Sequence, residues 1–362
     1  MPDLFVRNVN NPLITPEMIP APAGYQAIGA FNPGVTRHQG KTHLLVRVAL
    51  IADPTNDDPA EQEATLTALR YSASEDRIIQ ERFAKAELDD YEARTFHYMG
   101  QLYLTSISVF YLAVIEDDGR ISISPEPVLQ PAHELEEFGI EDPRITAIDD
   151  HYAITYVAVS RHGHATGLIT TDDFTQFERR GLILAPNNKD AVLFPEAING
   201  EHYLIHRPSA EGVPAPEIWL ARSNSQDLQH WGKHTLLMTP EASWEQGRIG
   251  AGAPPLRTEL GWLMFYHGAT EANRYSLGAV LLDLEDPTRV LWRNGPQQAA
   301  LAEPHTDYEK HGFFSDVIFV TGAVQEGRQL QLYYGAADRT ICAMHGDLDD
   351  LLDTIRQELA ET

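Results

Sequence analysis

The sequence predicts an all-β protein, a five-bladed β-propeller that ends in a surface helix. A module of two strand-like runs joined by a tight turn occurs five times along the 362 residues. Because one hairpin cannot bury both of its faces, several such modules have to pack around a common axis. No linker or low-complexity tract divides the chain, which indicates one domain over 1–362. The modules begin at Phe31, Glu141, Leu193, Gly252 and Phe314.

A second repeat follows four of the modules and supports the first. The segments TTDDFTQF from Thr170 and SNSQDLQHW from Ser223 each place an Asp before Phe or Leu and then an aromatic residue. In such a turn the carboxylate caps backbone N–H groups while the ring fills the gap between outer strands. Looser versions begin at Asp283 and Asp347, and the first module, which is the longest, has none. These turns predict the outer strands of the blades.

Three further segments complete the predicted domain. The Pro-rich arm 1–23 is expected to wrap the outside, and 53–94 is expected to elaborate the first blade with a helix-compatible stretch, EDRIIQERFAKAELDDYEAR. Residues 347–360 predict a surface helix, because their apolar positions fall on one stripe. That stripe consists of Leu348, Leu351, Leu352, Ile355 and Leu359.

Charge and composition restrict the partners. A formal net charge of -26 argues against nucleic acid and anionic membranes, whose binding needs a basic surface. The lone Cys342 rules out an internal disulfide and a metal–thiolate cluster, and the histidines show no metal-binding spacing, so neither a metal nor a cofactor is expected. With no apolar signal segment and no run of membrane-spanning length, a cytoplasmic location is expected.

Several common catalytic motifs are absent from the sequence. It contains no GxSxG elbow, no GxxxxGK[ST] loop and no strand–GxGxxG–helix unit. The Gly-rich segment Gly247–Gly252 opens a strand rather than a helix, so it lacks the helix N-terminus that would hold a nucleotide phosphate. Two classes remain: an enzyme acting on a polar small molecule, and a propeller that binds sugars or docks proteins.

Polar residues stand at matching places in the modules, where the strand ends converge on one mouth. Pro143 is expected to hold Asp142 in extended geometry. A rigid carboxylate facing a wet cavity suits general acid work on a sugar, although a turn-capping role for Asp142 is equally compatible with the local pattern. The residues at blade openings are Asn32, Asp142 and Glu196, and those at inner strand ends are Arg47, Arg207, His267 and Asp338.

Four basic residues at matching places stand out in this acidic chain. Each could pair with a neighbouring carboxylate, which is the simpler explanation for any one of them. Taken together they predict an anion pocket, since Arg forks and a Lys charge are typical phosphate ligands. The four are Lys189, Arg207, Arg248 and His267.

The segments FGIEDPRIT, NKDAVLFPEAINGEHYLIHRPS, WEQGRIGAGAPPL, GWLMFYHGA and YYGAAD resemble the mannoside phosphorylases and mannosidases of glycoside hydrolase family 130. The resemblance runs from Asn32 to Asp338 and implies a five-bladed propeller. It also implies an attack on a β-mannosidic bond that inverts the configuration at the anomeric carbon. It implies that Asp142 is the general acid, acting through the 3-hydroxyl of the mannose, and that α-mannose 1-phosphate is the product. It further implies phosphate contacts from Lys189, Arg207, Arg248 and His267, and mannose contacts from Asn32, Arg47 and Asp338.

The resemblance leaves two activities open. A phosphorylase needs no base, because phosphate arrives as an anion, whereas an inverting hydrolase needs one, for which Glu196 and Glu245 are the candidates. The retained basic residues favour the phosphorylase with inorganic phosphate as co-substrate, and the segment Ser160–Gly163 favours β-1,2-linked manno-oligosaccharides. Acceptor choice is expected to depend on 53–94 and Asn273–Tyr275 or on a neighbouring subunit of a homo-oligomer.

Two readings lie outside this class. A non-catalytic sugar-binding or protein-docking propeller would tolerate the loss of Asp142. A furanosidase propeller would use carboxylates on three blades and no phosphate pocket, and the basic residues argue against it.

Overall fold

The structure is a computed structural model. It describes residues 4–54, 63–92, 94–209, 215–295 and 298–361, so parts of the predicted arm 1–23 and of the elaboration 53–94 lie outside the described residues. Over the described residues the chain is built mainly of β-strands, which confirms the all-β class. The α-helices with both ends described are Asp307–Lys310 and Leu348–Glu361, and the 3-10 helices are Pro16–Met18, Lys85–Glu87, Glu134–Glu136 and Ser243–Glu245.

The first group of strands follows a short N-terminal strand and carries an insertion. Its own strands pair antiparallel in the order β2-β3-β9-β10, whereas the insertion forms the hairpin β4-β5 and the small sheet β6-β7-β8. The strands are β1 (Val6–Arg7), β2 (Tyr25–His38), β3 (Lys41–Ala52), β4 (Thr65–Ser72), β5 (Arg77–Ala84), β6 (Asp90–Tyr91), β7 (Thr95–Tyr98), β8 (Gln101–Leu104), β9 (Ile107–Ile115) and β10 (Ile121–Ile123).

The second and third groups are antiparallel sheets of four strands each. The second group also pairs with β9 through Gly139 and Ser108, which joins it to the first. A side chain at Gly139 would place Cβ 2.5 Å from the Ser108 nitrogen, so this approach requires glycine. The strands are β11 (Gly139–Ile148), β12 (His151–Ser160), β13 (Gly163–Thr171), β14 (Glu178–Leu184), β15 (Asn188–Leu193), β16 (His202–Pro208), β17 (Ile218–Ser223) and β18 (Gly232–Met238).

The fourth and fifth groups complete the sheets. The fourth runs β19-β21-β22-β23, with β20 beside β21, and the fifth runs β24-β25-β26-β1. The fifth group is therefore completed by the N-terminal strand, because Val6 pairs with His345 and Arg7 with Met344. The strands are β19 (Arg248–Ala251), β20 (Leu256–Arg257), β21 (Trp262–Ala269), β22 (Tyr275–Leu282), β23 (Val290–Arg293), β24 (Ile318–Glu326), β25 (Gln329–Ala336) and β26 (Thr340–Asp347).

The hydrophobic core lies between the groups rather than within them. Each of the five largest apolar clusters combines side chains from two neighbouring groups, and the group pairs are one and two, two and three, three and four, four and five, and five and one. Burial of each such Leu, Ile or Val contributes roughly 1.5–3 kcal/mol. Representative pairs across these boundaries are Leu45 with Ile140, Ala153 with Leu204, Ile205 with Met264, Phe265 with Val320, and Val46 with Tyr333.

A buried carboxylate recurs in three of the groups, each time with a tyrosine and an arginine. In the fourth group Glu245 accepts hydrogen bonds from the Tyr266 hydroxyl at 2.7 Å and from Arg293 at 2.7 Å, and from two backbone N–H groups. The contacts join the first turn of the group to its outermost strand. The sets are Glu136, Tyr156 and Arg179; Glu245, Tyr266 and Arg293; and Glu309, Tyr334 and Arg7.

Two local predictions were wrong. The helix-compatible stretch from Glu75 forms β5, a 3-10 helix and β6, because Phe83 points inward to a small apolar cluster of the insertion, which Phe96 of β7 completes. The segment from Asp347 is not an outer turn: its carboxylate accepts the backbone N–H groups of Asp349 and Asp350 and so begins the C-terminal helix. The outer strand of the fifth group is β1, from the arm that was expected only to wrap the outside.

The C-terminal helix confirms the prediction for 347–360 to within a residue at each end. Its apolar stripe packs on the cluster between the fourth and fifth groups, where Leu348, Leu351, Leu352 and Ile355 are buried. Leu359 is exposed, so the buried stripe ends one turn before the helix does. Among the described residues, no helix combines the length and the apolar character that crossing a membrane requires.

We expect Arg7→Ala to lower the free energy of unfolding by about 3 kcal/mol, because it leaves the Glu309 carboxylate buried without its cation. Urea unfolding of the variant measures the loss. Arg356→Ala is the matched control, since Arg356 pairs with Glu259 and Asp353 in exposed positions and its loss should change stability little. Equal stability of the two variants would show that the ion pair between Arg7 of β1 and Glu309 does not stabilise the fifth group.

Candidate functional site

The first strands of three groups carry the same backbone irregularity. In β2, β11 and β15 the register shifts by a bulge at Asn32, Asp142 and Asp190, whose φ angles are 46°, 49° and 52°. Left-handed backbone is uncommon outside glycine, and Asn and Asp tolerate it best. A bulge re-aims the side chain it carries. The expectation that Pro143 keeps Asp142 extended was therefore wrong, and the third member of the series is Asp190 rather than Glu196.

A cavity of about 190 Å³ lies where these strands converge. It brings together seven of the eight residues predicted as the acid and as phosphate or mannose contacts, and His267 is the exception. The side chains that line it are Asn32, Arg47, Arg94, Asp142, Lys189, Arg207, Arg248, Asn273, Tyr275, Phe314, Val317, Phe319 and Asp338.

Asp142 is fixed by two donors within the cavity. Its Oδ1 accepts hydrogen bonds from Arg47 Nη1 at 2.8 Å and from Asn32 Nδ2 at 2.9 Å. Burial raises the pKa of Asp142, but the charges of Arg47 and Lys189 outweigh burial, so that the pKa lies well below its ordinary value. The carboxyl group of Asp142 is therefore ionised near neutral pH.

Arg47 also binds a second carboxylate that the sequence analysis missed. Arg47 Nη2 lies 2.7 Å from Glu141 Oε1, and Arg94 of the insertion contacts the same carboxylate at 3.0 and 3.2 Å. Burial raises the pKa of Glu141, and the charges of Arg47 and Arg94 lower it below its ordinary value. The insertion therefore reaches the residue next to Asp142 through Arg94.

Asp338 differs from Asp142 in its electrostatic surroundings. Burial raises the pKa of Asp338, and the charges of Arg47 and Arg94 only partly offset this effect. The cavity thus contains one carboxyl group whose pKa is lowered and one whose pKa is raised. Opposed shifts of this kind in one cavity are typical of functional sites.

Three further cations line the cavity and form its basic wall, namely Lys189, Arg207 and Arg248. Arg248 donates from Nε to the Tyr275 hydroxyl at 2.8 Å and from Nη2 to Asn273 Oδ1. Within the described part of the chain, neither Lys189 nor Arg248 has a carboxylate within 4 Å, whereas Arg207 pairs through Nε with Asp190 at 2.7 Å. Cations that line a cavity and have no carboxylate partner are suited to bind an anion.

His267 lies one layer behind this wall and does not line the cavity. Its Nε2 is 3.4 Å from Asp190 Oδ2, and its ring packs 4.4 Å from the ring of Phe319. Burial lowers the pKa of His267 to about 4, and the charge of Asp190 offsets only part of that effect. The ring is therefore neutral near pH 7 and lies beside Asp190, and the phosphate contact that the resemblance implies for His267 stays a prediction.

Neither carboxylate proposed as a hydrolytic base reaches the cavity. Glu196 is exposed and pairs with Arg257 at 3.0 Å. Glu245 is fully buried, but it belongs to the repeated set with Tyr266 and Arg293, where all of its contacts are structural. Both assignments are corrected, because a base has to reach the water that it activates.

Three functional side chains were missed by the sequence analysis. Glu141 and Asp190 directly neighbour predicted residues, and an Asx residue at matched bulges was the signal that identifies Asp190. Arg94 comes from an insertion with no counterpart in the other groups, so no repeat pointed to it. Asn273 and Tyr275, expected to contact the acceptor, line the cavity beside Arg248.

The cavity thus combines buried carboxylates held by Arg47 and Arg94 with a basic wall that includes Lys189 and Arg248. The family model for β-1,4-mannooligosaccharide phosphorylases of glycoside hydrolase family 130 matches residues 84–357. The chain therefore belongs to glycoside hydrolase family 130.

Individual relatives are more specific. The chain is 42% identical to a β-1,2-mannobiose phosphorylase of Listeria innocua over 97% of this chain and 98% of that protein. It is 38% identical to a 1,2-β-oligomannan phosphorylase of a Thermoanaerobacter species over 65% of this chain and 77% of that protein. The solved structure of the Listeria innocua β-1,2-mannobiose phosphorylase in complex with β-1,2-mannobiose superposes with a TM-score of 0.87 at 41% identity, over 97% of this chain and 99% of the other.

We expect the His267 ring to stay neutral between pH 5 and pH 8 and to titrate only as the pH approaches about 4. The unfolded chain, with the ordinary histidine pKa of ~6.5, takes up the proton first. The free energy of unfolding should therefore fall as the pH drops from about 6.5 towards 4. Imidazole nitrogen NMR spectra, assigned with a His267→Gln variant, measure the titration, and a midpoint near pH 6.5 would contradict the buried neutral ring.

Proposed function

We propose that the protein is an inverting glycoside phosphorylase that cleaves β-1,2-linked manno-oligosaccharides with inorganic phosphate and releases α-mannose 1-phosphate. One observation carries the proposal. The cavity contains Asp142, which Arg47 holds in place, together with Lys189 and Arg248, which have no carboxylate partner among the described residues. Phosphate needs neutralisation and orientation rather than a base, and the basic wall supplies both.

The two walls divide the work of the reaction. Asn32, Arg47 and Asp338 would hold the mannose, while Lys189, Arg207 and Arg248 would hold the phosphate. A phosphate oxygen forms a bond to the anomeric carbon as the glycosidic C–O bond breaks on the opposite face. The leaving oxygen takes the proton of the mannose 3-hydroxyl, and Asp142 replaces that proton.

Phosphate also prepares the acid in this scheme. Arg47 and Lys189 are the charges that most lower the pKa of Asp142. A phosphate dianion beside Lys189 offsets the charge of that residue, and negative charge near a carboxyl group raises its pKa. Protonation of Asp142 and phosphate binding therefore favour each other.

The β-1,2 linkage rests on the relatives rather than on the family model, whose description names a β-1,4 activity. The Listeria innocua and Thermoanaerobacter phosphorylases with the higher identities act on 1,2-linked mannosides by name, and the segment Ser160–Gly163 points the same way. Arg161 of that segment pairs with Glu137 and contacts Gln101, so the segment touches the insertion of the first group.

The hydrolase alternative loses its support in this arrangement. Glu196 and Glu245, its candidate bases, lie away from the cavity. Glu141, the carboxylate beside Asp142, is held by two arginines and is therefore poorly suited to accept a proton. No observation favours the sugar-binding, docking or furanosidase readings.

The proposal includes a five-bladed propeller as the fold. Its support is the cyclic order of the sheets: β2 contacts both β11 and β24, β15 contacts β12, β19 contacts β16, and β22 contacts β24. Five apolar clusters between successive groups agree with that order. One domain, a cytoplasmic location, and a reaction with phosphate as co-substrate and without cofactor or metal stay predictions, and a homo-oligomer stays open.

We expect cleavage of β-1,2-mannobiose to require inorganic phosphate and to give mannose 1-phosphate, because the cavity supplies an anion receptor and no base. Product analysis with and without phosphate measures this, and β-1,4-mannobiose is the matched control for linkage. Free mannose formed at full rate without phosphate would identify a hydrolase. Faster cleavage of the β-1,4 substrate would refute the linkage alone.

We expect Asp142→Asn to reduce kcat by roughly 10²–10⁴-fold while β-1,2-mannobiose still binds, because the amide keeps the shape of the carboxyl group and has no proton to transfer. Initial rates and calorimetric sugar binding separate the two effects. Glu196→Gln, an exposed change outside the cavity, is the control and should keep its rate. Retention of more than a few per cent of the activity by Asp142→Asn would remove Asp142 from the acid role.

A further inference from the structure

We infer that Asp190 is the positioning residue of the anion site: it holds the Arg207 guanidinium so that both terminal nitrogens are free for phosphate. The inference rests on the proposed function for the identity of the anion. Asp190 itself does not line the cavity, and its side chain is fully buried. Its action therefore has to pass through the residues that it contacts.

The backbone of Asp190 is fixed from the neighbouring group. The Thr155 hydroxyl of β12 donates to the Ala191 carbonyl at 2.5 Å, and the Thr166 hydroxyl of β13 donates to the Asn188 carbonyl at 3.4 Å. These carbonyls lie on either side of the bulge. Because the backbone is anchored before and after Asp190, the direction of the Asp190 side chain is fixed. A fixed side chain suits a site whose groups are positioned before the ligand binds.

The side chain of Asp190 is enclosed by three groups. Oδ2 lies 2.7 Å from Arg207 Nε and 3.4 Å from His267 Nε2. On a third side is Gly250, where a Cβ atom would come within 2.3 Å of Oδ2. Glycine at this position in β19 therefore makes the space that the carboxylate occupies.

Contact through Nε has a specific consequence for Arg207. Asp190 meets the guanidinium as an ion pair at Nε, so the terminal nitrogens are the donors that remain for an anion. Arg207 lines the cavity beside Lys189. The fork can then bind two phosphate oxygens at once, with its plane set by Asp190 rather than by the phosphate.

Charge and position make opposite predictions for the removal of Asp190. A buried anion behind an anion site opposes phosphate by Coulomb repulsion, so its neutralisation alone would tighten phosphate binding. Loss of the contact that orients Arg207 would weaken it. The sign of the change therefore separates a positioning role from a simple charge effect.

The test is calorimetric binding of inorganic phosphate to the full chain without sugar. Asp190→Asn should weaken phosphate binding about 10- to 100-fold. Arg207→Ala should weaken it by a similar factor, and the double variant should be no weaker than Arg207→Ala alone, because Asp190 acts through Arg207. In phosphorolysis, Asp190→Asn should raise the phosphate KM and leave the mannobiose KM nearly unchanged.

Glu245→Gln is the matched control, since it also removes a buried carboxylate from an arginine but lies outside the cavity. It should lower the unfolding midpoint and leave phosphate affinity unchanged. Should Asp190→Asn fail to fold, Thr155→Val keeps the side-chain shape and removes one anchor of the bulge. It should weaken phosphate several-fold, and unchanged affinity in the folded variant would overturn the inference.

Two other results would also overturn it: tighter phosphate binding by Asp190→Asn, or an equal loss from that substitution in the wild-type and Arg207→Ala backgrounds. Binding and turnover separate this inference from the proposed function. If mannoside cleavage proceeds without phosphate while Asp190→Asn still weakens phosphate binding, the proposed function fails and the inference stands. If the wild-type protein binds no phosphate at millimolar concentration, both fail.

Discussion

Asn32, Asp142 and Asp190 occupy left-handed backbone at the bulges of three neighbouring strands, where a residue other than glycine costs about 1 kcal/mol or more. The surrounding sheets supply that free energy, because the flanking strands are paired and buried. In return, each bulge turns one side chain out of the regular alternation. The first donates to Asp142, the second carries the carboxyl group that we propose as the general acid, and the third pairs with Arg207 of the proposed anion site. One backbone device therefore produces three different chemical roles.

The charge inside the cavity is nearly balanced although the protein is strongly acidic. Five cations line it, and four carboxylates line it or stand behind it; burial of so many unpaired charges would be prohibitive. The positive and negative charges are unevenly distributed. Arg47 and Arg94 act on Glu141, Asp142 and Asp338, whereas Lys189 and Arg248 have no carboxylate within 4 Å among the described residues. The cavity thus holds its excess positive charge at the basic wall. The cations are Arg47, Arg94, Lys189, Arg207 and Arg248, and the carboxylates are Glu141, Asp142, Asp190 and Asp338.

Much of the site could be predicted because its residues occupy repeated positions. Asn32, Arg47 and Asp338 occupy positions that the repeats single out, and the structure brings them together, although Asn32 and Arg47 lie within β2 and β3 rather than at strand ends. The errors have a physical pattern. Glu245 occupies a repeated structural position, which a pattern cannot distinguish from a catalytic one. Asp190 was missed because a carboxylate beside Lys189 looks like its counter-ion.

The insertion shows a different limit of sequence reasoning. Its charged residues fit a helix equally well, and the strands form because Phe83 and Phe96 meet in a cluster that involves distant residues. Arg94 is likewise unpredictable from its surroundings in sequence, because Glu141, the carboxylate that it binds, lies 47 residues further along the chain. Tertiary contact decides such elements, and local propensity does not.

The pairing of β1 with β26 bears on the order in which the molecule folds. Val6 pairs with His345 and Arg7 with Met344, although these residues lie far apart in the chain. Loop-closure entropy opposes contacts between such distant residues, so they form more slowly than the local hairpins. The hairpins of the fifth group therefore precede the arrival of its outermost strand, and a refolding chain presents β26 as an unpaired edge until β1 docks on it.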